Sequence, residues 1–284
     1  WIGSQRGLST FNPYNKGILG VGPSGNPKKG IPTPSVWSFS EDKKNDFVYI
    51  GTDQSVTKRD NKTGLFTQFP VEGTPIIGSV LSISVIDKNK LLIGTVDGFY
   101  KLHINEKNHQ YERIEKGGFN DIKHKRIYSI VHWKENLYWL GTKDGVLLYN
   151  ESKDSFKKFE HNSSEISNTI SKGLCRAVFK DLDGLIWFAT STGGLNLLID
   201  KDGELEIRPY EFNFKIREKS TEYITSIYQE QSGEYWFGTM GAGLIHWNER
   251  TKESKAFNKD QGLPNNVIYG IVSGEKNELW LSTN

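Results

Sequence analysis

The chain has almost no sulfur: Cys175 is its single cysteine and there is one methionine in 284 residues. A lone cysteine excludes an internal disulfide and any zinc site built from several cysteines, and it suits cytoplasm and periplasm equally. Neither sign of charge is in excess. With 36 Lys and Arg against 34 Asp and Glu, the formal charge is +2, so no surface tracking a phosphate backbone is expected and nucleic-acid binding is set aside. No apolar run reaches the ~18 residues that span a bilayer. No secretory leader is visible, but residue 1 falls inside a repeat, so the natural start is expected upstream and the chain reads as a segment of a longer protein.

Glycine and aromatic residues are plentiful instead: 29 Gly, 8 Trp, 12 Tyr and 15 Phe, the composition of strands joined by tight turns. One short stretch keeps returning. Its clearest copy is Tyr138-Trp139-Leu140-Gly141-Thr142, followed by Lys143-Asp144-Gly145-Val146. Others are Trp187-Phe188-Ala189-Thr190 and Trp236-Phe237-Gly238-Thr239, with looser copies at Tyr49–Thr52 and Leu92–Thr95. The chain opens in a copy (Trp1-Ile2-Gly3-Ser4) and closes in one (Trp280-Leu281-Ser282-Thr283). The small residue falls at 3, 51, 94, 141, 189, 238 and 282, a period of roughly 45 residues that matches four-stranded propeller blades. The expected fold is all-β: a propeller of four-stranded antiparallel blades, seven in number, with incomplete first and last blades, forming a single domain over 1–284.

Each repeat follows one grammar. An apolar strand with a central small residue comes first, as in Val36-Trp37-Ser38-Phe39 and Ile224-Thr225-Ser226-Ile227. Apolar on both faces, it suits an innermost strand packed between blades. A polar turn leads to the Trp-aliphatic-Gly-Thr strand, whose glycine admits a neighbouring blade and whose aromatic fills the space between sheets. A third strand and a Lys- and Glu-flanked outer strand follow, the charges guarding an exposed edge. Residues 1–13 supply second and third strands only, 14–34 read as an irregular loop rich in Gly, Pro and Lys, and the last repeat supplies only its first two strands.

A feature present in every blade is what packing demands, so the repeated tryptophans are assigned to the core. Of the six histidines, His103, His109, His124 and His161 lie in polar turn-like stretches and His132 and His246 on strands, without metal-ligand spacing. No cofactor and no metal site is expected. Asp181, Asp183 and Asp202 are read as turn residues, since Asp-Gly is a turn dipeptide and the remaining ligands of a calcium loop are missing. No sialidase-type Asp-box occurs.

Departures from the repeat are more informative. The slot held by Ser38, Ser82, Ser129, Ser226 and Gly270 is assigned to Arg176 in one repeat, where the guanidinium either contacts a ligand or neighbouring domain or is satisfied by a nearby acid or carbonyls. The preceding slot holds Trp37, Leu81, Tyr128, Cys175, Thr225 and Tyr269, and blade-to-blade variation is where a repeat protein encodes specificity. The turns after the Gly-Thr strand also vary: Asp53, Val96, Lys143, Thr192 and Met240. Loops on a rigid scaffold are where ligands bind. The candidate ligand-binding residues are therefore Trp37, Asp53, Tyr128, Lys143, Arg176, Thr192, Met240 and Tyr269; none is assigned a catalytic role.

Two stretches carry a resemblance. Asn168-Thr169-Ile170-Ser171 leads through Val178-Phe179-Lys180-Asp181-Leu182-Asp183-Gly184-Leu185-Ile186-Trp187, and Gly262-Leu263-Pro264-Asn265-Asn266-Val267-Ile268-Tyr269-Gly270-Ile271 runs on to Leu279–Asn284. Together with the connector Glu160–Asn168, they resemble the two-component regulator propeller repeat, over essentially the whole chain and most closely from 127 onward. The resemblance implies the periplasmic sensor part of a membrane-bound hybrid histidine kinase of the Bacteroidetes type. The kinase activity would reside in a domain outside this segment. It further implies an oligosaccharide ligand from polysaccharide breakdown, a neighbouring propeller and immunoglobulin-like domain in the same parent chain, and a homodimeric parent. The alternatives are a propeller enzyme of the streptogramin-lyase or polysaccharide-lyase type, which needs convergent acid, base or metal groups, and a pure scaffold, which needs a broad apolar patch.

Overall fold

The computed structural model describes residues 2–4, 7–12, 17–53, 55–70, 78–105, 108–115, 126–164, 169–210, 223–273 and 278–283, with side chains described from residue 22 onward except at 273. The chain divides into two compact units, Trp1–His132 and Trp133–Asn284. Apart from one 3-10 turn at Lys259–Gln261, every regular element among the described residues is a strand.

In the first unit, β1 (Ile2–Ser4), β2 (Gly7–Asn12) and β3 (Gly17–Val21) make a three-stranded sheet. β4 (Val36–Asp42), β5 (Phe47–Thr52), β6 (Val56–Asp60) and β7 (Phe66–Phe69) make the next, and β8 (Val80–Asp87), β9 (Lys90–Thr95), β10 (Phe99–Ile104) and β11 (His109–Arg113) a third. The division falls inside β12 (Ile127–Lys134), first strand of the sheet continued by β13 (Leu137–Thr142), β14 (Gly145–Asn150) and β15 (Ser155–Phe159). The second unit adds β16 (Cys175–Lys180), β17 (Ile186–Thr190), β18 (Gly194–Lys201) and β19 (Glu204–Pro209), then β20 (Ile224–Gln231), β21 (Glu234–Thr239), β22 (Leu244–Asn248) and β23 (Glu253–Phe257). It ends with the pair β24 (Ile268–Ser273) and β25 (Leu279–Thr283).

The fold is all-β, of propeller class, with four-stranded antiparallel blades. Among the described residues the blades number five, so the expected seven are not met; a three-stranded and a two-stranded sheet stand at the two ends of the sequence, where the repeats predict incomplete first and last blades. The expected loop over 14–34 needs correction, because β3 pairs with β2 from Leu8↔Val21 to Asn12↔Gly17. Ile18, Leu19 and Val21 form a short β-favouring run between glycines, and the surrounding Gly, Pro and Lys hide it from composition.

The repeated motif decomposes into three physical roles. Its aromatic or aliphatic residue fills the core in four blades, where Trp139, Tyr49 and Leu92 are fully buried and Trp187 nearly so. The core assignment does not extend to Trp236, which is half-buried and donates Nε1–H to Glu230 Oε2 at 3.0 Å. Trp139 meets Phe188 of the next blade edge-on, with centroids 4.9 Å apart. The glycine exists because another blade lies against it. A Cβ on Gly51 would sit 2.3 Å from Ser38 Oγ and 2.6 Å from Val80 Cγ1, and one on Gly94 would meet Ser82 Oγ and Ile127 just as closely. The threonine closes the following turn. Thr52, Thr95, Thr142, Thr190 and Thr239 donate Oγ1–H to the carbonyls of Ser55, Gly98, Gly145, Gly194 and Gly243.

Successive blades are also joined by hydrogen bonds. Ser38 Oγ donates to Val80 O at 2.8 Å and Ser82 Oγ to Ile127 O at 3.5 Å. Tyr111 donates to Phe69 O (2.8 Å) and accepts from Val56 N (3.1 Å). In the second unit Asp181, 5% exposed, accepts from four donors: Asp183 N (3.0 Å) and Leu185 N (2.8 Å) at Oδ1, Trp187 Nε1 (2.8 Å) and Tyr235 OH (3.0 Å) at Oδ2. Asp181 and Asp183 sit in the turn that the sequence predicts, and Asp181 ties two blades together as well. The hairpin between β18 and β19 turns on Asp202 (φ 54°) and Gly203 (φ 94°), the left-handed pair that an Asp-Gly turn supplies.

Burial pushes the Tyr49 hydroxyl up to about 12, with Asp42 and Asp87 adding to it. Burial also raises Tyr111, and burial followed by Asp181 raises Tyr235. In the unfolded chain these phenols ionise near 10. Above that pH the unfolded state releases protons that the folded state keeps, so stability declines. Their contribution is expected to be flat below pH 10 and to fall from there upward, visible as a dropping urea midpoint that coincides with tyrosinate absorbance appearing only on unfolding. Cys175 is fully buried, and burial raises its thiol well above its ordinary value. A thiol reagent is expected to leave it unmodified in native buffer and to react stoichiometrically in denaturant, read by mass spectrometry.

Candidate functional site

In five of the first strands the register slips by one residue at the same place. In β4 against β5, Val36 faces Thr52 and Ser38 faces Gly51, leaving Trp37 unpaired. The same slip leaves out Leu81 in β8, Arg176 in β16, Thr225 in β20 and Tyr269 in β24. A bulge removes one residue from the ladder and re-aims its side chain. The recurrent bulge therefore gives each of these blades one side chain freed from sheet pairing.

This register corrects the sequence assignment around Arg176. Cys175 faces Thr190 and Ala177 faces Ala189. Arg176 thus occupies the bulge slot with Trp37, Leu81, Thr225 and Tyr269; Ala177 fills the serine slot, and Cys175 stands where Val36, Val80, Ile224 and Ile268 stand. Spacing carries the signal: Ser82 to Gly94, Ala177 to Ala189, Ser226 to Gly238 and Gly270 to Ser282 are each twelve residues. The paired small residues compensate one another. Serine faces glycine three times, alanine faces alanine at 177 and 189, and glycine faces serine at 270 and 282.

Two pairs of candidates meet. In the first unit Trp37 Nε1 donates to Asp53 Oδ1 at 2.5 Å, and Ser79 Oγ donates to the same oxygen at 3.4 Å. The indole is anchored by its edge while the residue stays 48% exposed, unlike the buried Trp133, Trp139, Trp187 and Trp247. In the second unit the Arg176 guanidinium carbon lies 6.0 Å from the centroid of the Tyr269 ring, itself 39% exposed. Between them in blade order, Thr225 is turned inward and buried, donating to Ile268 O.

The other candidates have separate surroundings. Tyr128 is half-buried, with the Arg126 guanidinium 6.0 Å from its ring. Lys143 is exposed in the turn between β13 and β14. Thr192 donates to Lys172 O at 2.7 Å. Met240 donates its amide to Tyr223 O and forms an isolated bridge with Val267.

The histidines keep local partners. His103 meets Glu112 at 3.0 Å and His246 meets Glu234 at 2.7 Å, while Nε2 of His109 donates to Pro70 O and Nδ1 of His161 to Ile170 O. His124 lies outside the described residues, as do 165–168 of the connector. Among the described residues no three His, Cys, Asp or Glu side chains converge as metal ligands. No helix among them is long and apolar enough to cross a membrane.

No protein-family model matches the chain. A curated relative, histidine kinase P4 of Formosa agariphila, is 25% identical over 172 residues, covering 57% of this chain and 12% of the kinase. A solved structure described as the extracellular domain of a one-component system of B. thetaiotaomicron aligns over 100% of this chain and 35% of its own, with a TM-score of 0.72 and 20% identity. The curated relative is a histidine kinase, in line with the resemblance read from the repeats. The chain spans about an eighth of the kinase's length. A β-propeller domain from Myceliophteria thermophila, Cps50 (Swd1), superposes with a TM-score of 0.67 at 11% identity, over 92% of this chain and 81% of its own. These structural likenesses show the propeller fold.

Proposed function

We propose that this chain is the ligand-binding sensor segment of a membrane-bound two-component signalling protein, and that it recognises an oligosaccharide from polysaccharide breakdown without transforming it. The recurrent bulge carries this reading. Residues that pack blades repeat from one blade to the next, whereas the bulge slot runs through Trp, Leu, Arg, Thr and Tyr. An edge-anchored indole such as Trp37 presents a π-face suited to the C–H face of a sugar ring, and the Asp53 and Ser79 oxygens beside it suit hydroxyl groups.

In this reading residues 1–284 form one propeller domain on the periplasmic side. The parent is a homodimeric histidine kinase, with a further propeller and an immunoglobulin-like domain beside this one. Signalling requires the sugar to bind two arrangements of the parent unequally, since a ligand with equal affinity for both shifts nothing. Titration calorimetry of the chain against a panel of oligosaccharides tests it. Saturable heat with one glycan class and unchanged sugar on chromatography is expected. Absence of heat with every glycan, or steady turnover of one, contradicts the proposal.

A further inference from the structure

We infer that Arg176 and Tyr269, with Thr225 folded out of the way between them, form an anion subsite, selecting glycans that carry a carboxylate or a sulfate. The inference rests on the sensor reading and names the ligand class at that site. These residues occupy the same bulge slot in three successive blades, those of β16, β20 and β24. The middle one is short and folded inward, its hydroxyl engaged by Ile268 O and its side chain buried. That leaves the guanidinium of Arg176 free to extend past it to the Tyr269 ring, 6.0 Å from carbon to centroid. A ring placed there holds the cation by its quadrupole without occupying the N–H fork.

What the guanidinium lacks is an acid. Among the described residues no carboxylate lies within 4.0 Å of it, whereas Arg208 is forked onto Glu206 at 2.7 and 2.8 Å and Arg113 meets Glu115 at 3.3 Å. Arg176 is half-buried, and none of its nitrogens is sealed from solvent without a partner, so its donors remain open to an incoming anion. A planar fork held against an aromatic face matches two oxygens of a carboxylate or sulfate, and a lysine would not. The neighbouring ring then stacks on the sugar that carries the anion.

Calorimetry with matched ligands tests this: oligogalacturonate against its methyl ester, and a sulfated oligosaccharide against its desulfated form. The intact chain is expected to bind one acidic member roughly tenfold to a hundredfold more tightly than its neutral partner, with affinity falling as salt rises. The pair that shows the preference identifies the anion. Arg176→Gln is expected to erase the preference, bringing the affinity for the acidic member down to that of the neutral one, and Arg176→Lys to restore only a minor part. Equal affinity for acidic and neutral members, or a preference that survives Arg176→Gln at unchanged melting temperature, overturns the anion subsite and leaves the sensor reading standing. If no glycan of either kind binds, the sensor reading fails and the subsite with it.

Discussion

Asp181→Ala is expected to destabilise the second unit by about 3–5 kcal/mol, the cost of removing one partner from a buried, charged hydrogen-bond centre. Four donors converge on this carboxylate, and two of them, Trp187 Nε1 and Tyr235 OH, belong to side chains 2% and 1% exposed. Alanine leaves both without an acceptor in a place water does not reach, and each orphaned donor costs about 1–3 kcal/mol. Asp181→Asn keeps one oxygen and is expected to fall between wild type and alanine. Urea unfolding followed by tryptophan fluorescence reads the effect directly, since Trp187 is one of the partners. Lys143→Ala, an exposed turn substitution, is the comparison and is expected to lie within about 0.5 kcal/mol of wild type.

The second large effect is expected at the motif glycine. In Gly238→Ala the new Cβ would lie 2.3 Å from Ser226 Oγ, 2.9 Å from Ile268 Cγ2 and 3.0 Å from Ile268 O. The hydroxyl can rotate, but the strand of the adjoining blade has to move, and overpacking of this kind costs about 1–3 kcal/mol, occasionally more. The alanine pair at 177 and 189 shows how the fold accommodates the larger residue. Adding Ser226→Ala to Gly238→Ala is therefore expected to recover part of the loss, giving a coupling energy of about 0.5 kcal/mol or more in a double-mutant cycle. Strict additivity of the two substitutions would contradict the compensation.

Blade architecture was legible because it is written several times over: aromatic, glycine and threonine each recur for a separate physical reason, and each reason is visible in the structure. The total of seven blades is not met, since the period marks where a sheet passes and says nothing of whether all four strands are present; that the first and last repeats are incomplete was legible from the strands each one lacks. Strand β3 escaped because Gly17-Ile18-Leu19-Gly20-Val21 is too short to outweigh its Gly- and Pro-rich setting. The site was half legible. Trp37, Arg176 and Tyr269 stood out as variable residues, but the bulge that groups them is a property of strand register. Apolar character alone placed Cys175 in the slot of Trp37 and so displaced Arg176 by one position. The Trp37–Asp53 pair joins a strand to a turn sixteen residues on, a proximity that follows only once β4 and β5 are paired.

The account separates residues that hold blades from residues that meet ligand, and one measurement tests that separation. Trp37→Ala, Tyr269→Ala and Trp139→Ala are compared for thermal unfolding and for binding of whichever oligosaccharide the wild-type chain retains. The account predicts that the first two leave the melting temperature within a few degrees and lose at least tenfold in affinity, a change of roughly 1.4 kcal/mol. Trp139→Ala, which empties a fully buried site, is predicted to cost about 3–5 kcal/mol of stability. Undiminished binding in both Trp37→Ala and Tyr269→Ala, or collapse of the fold in either, contradicts it.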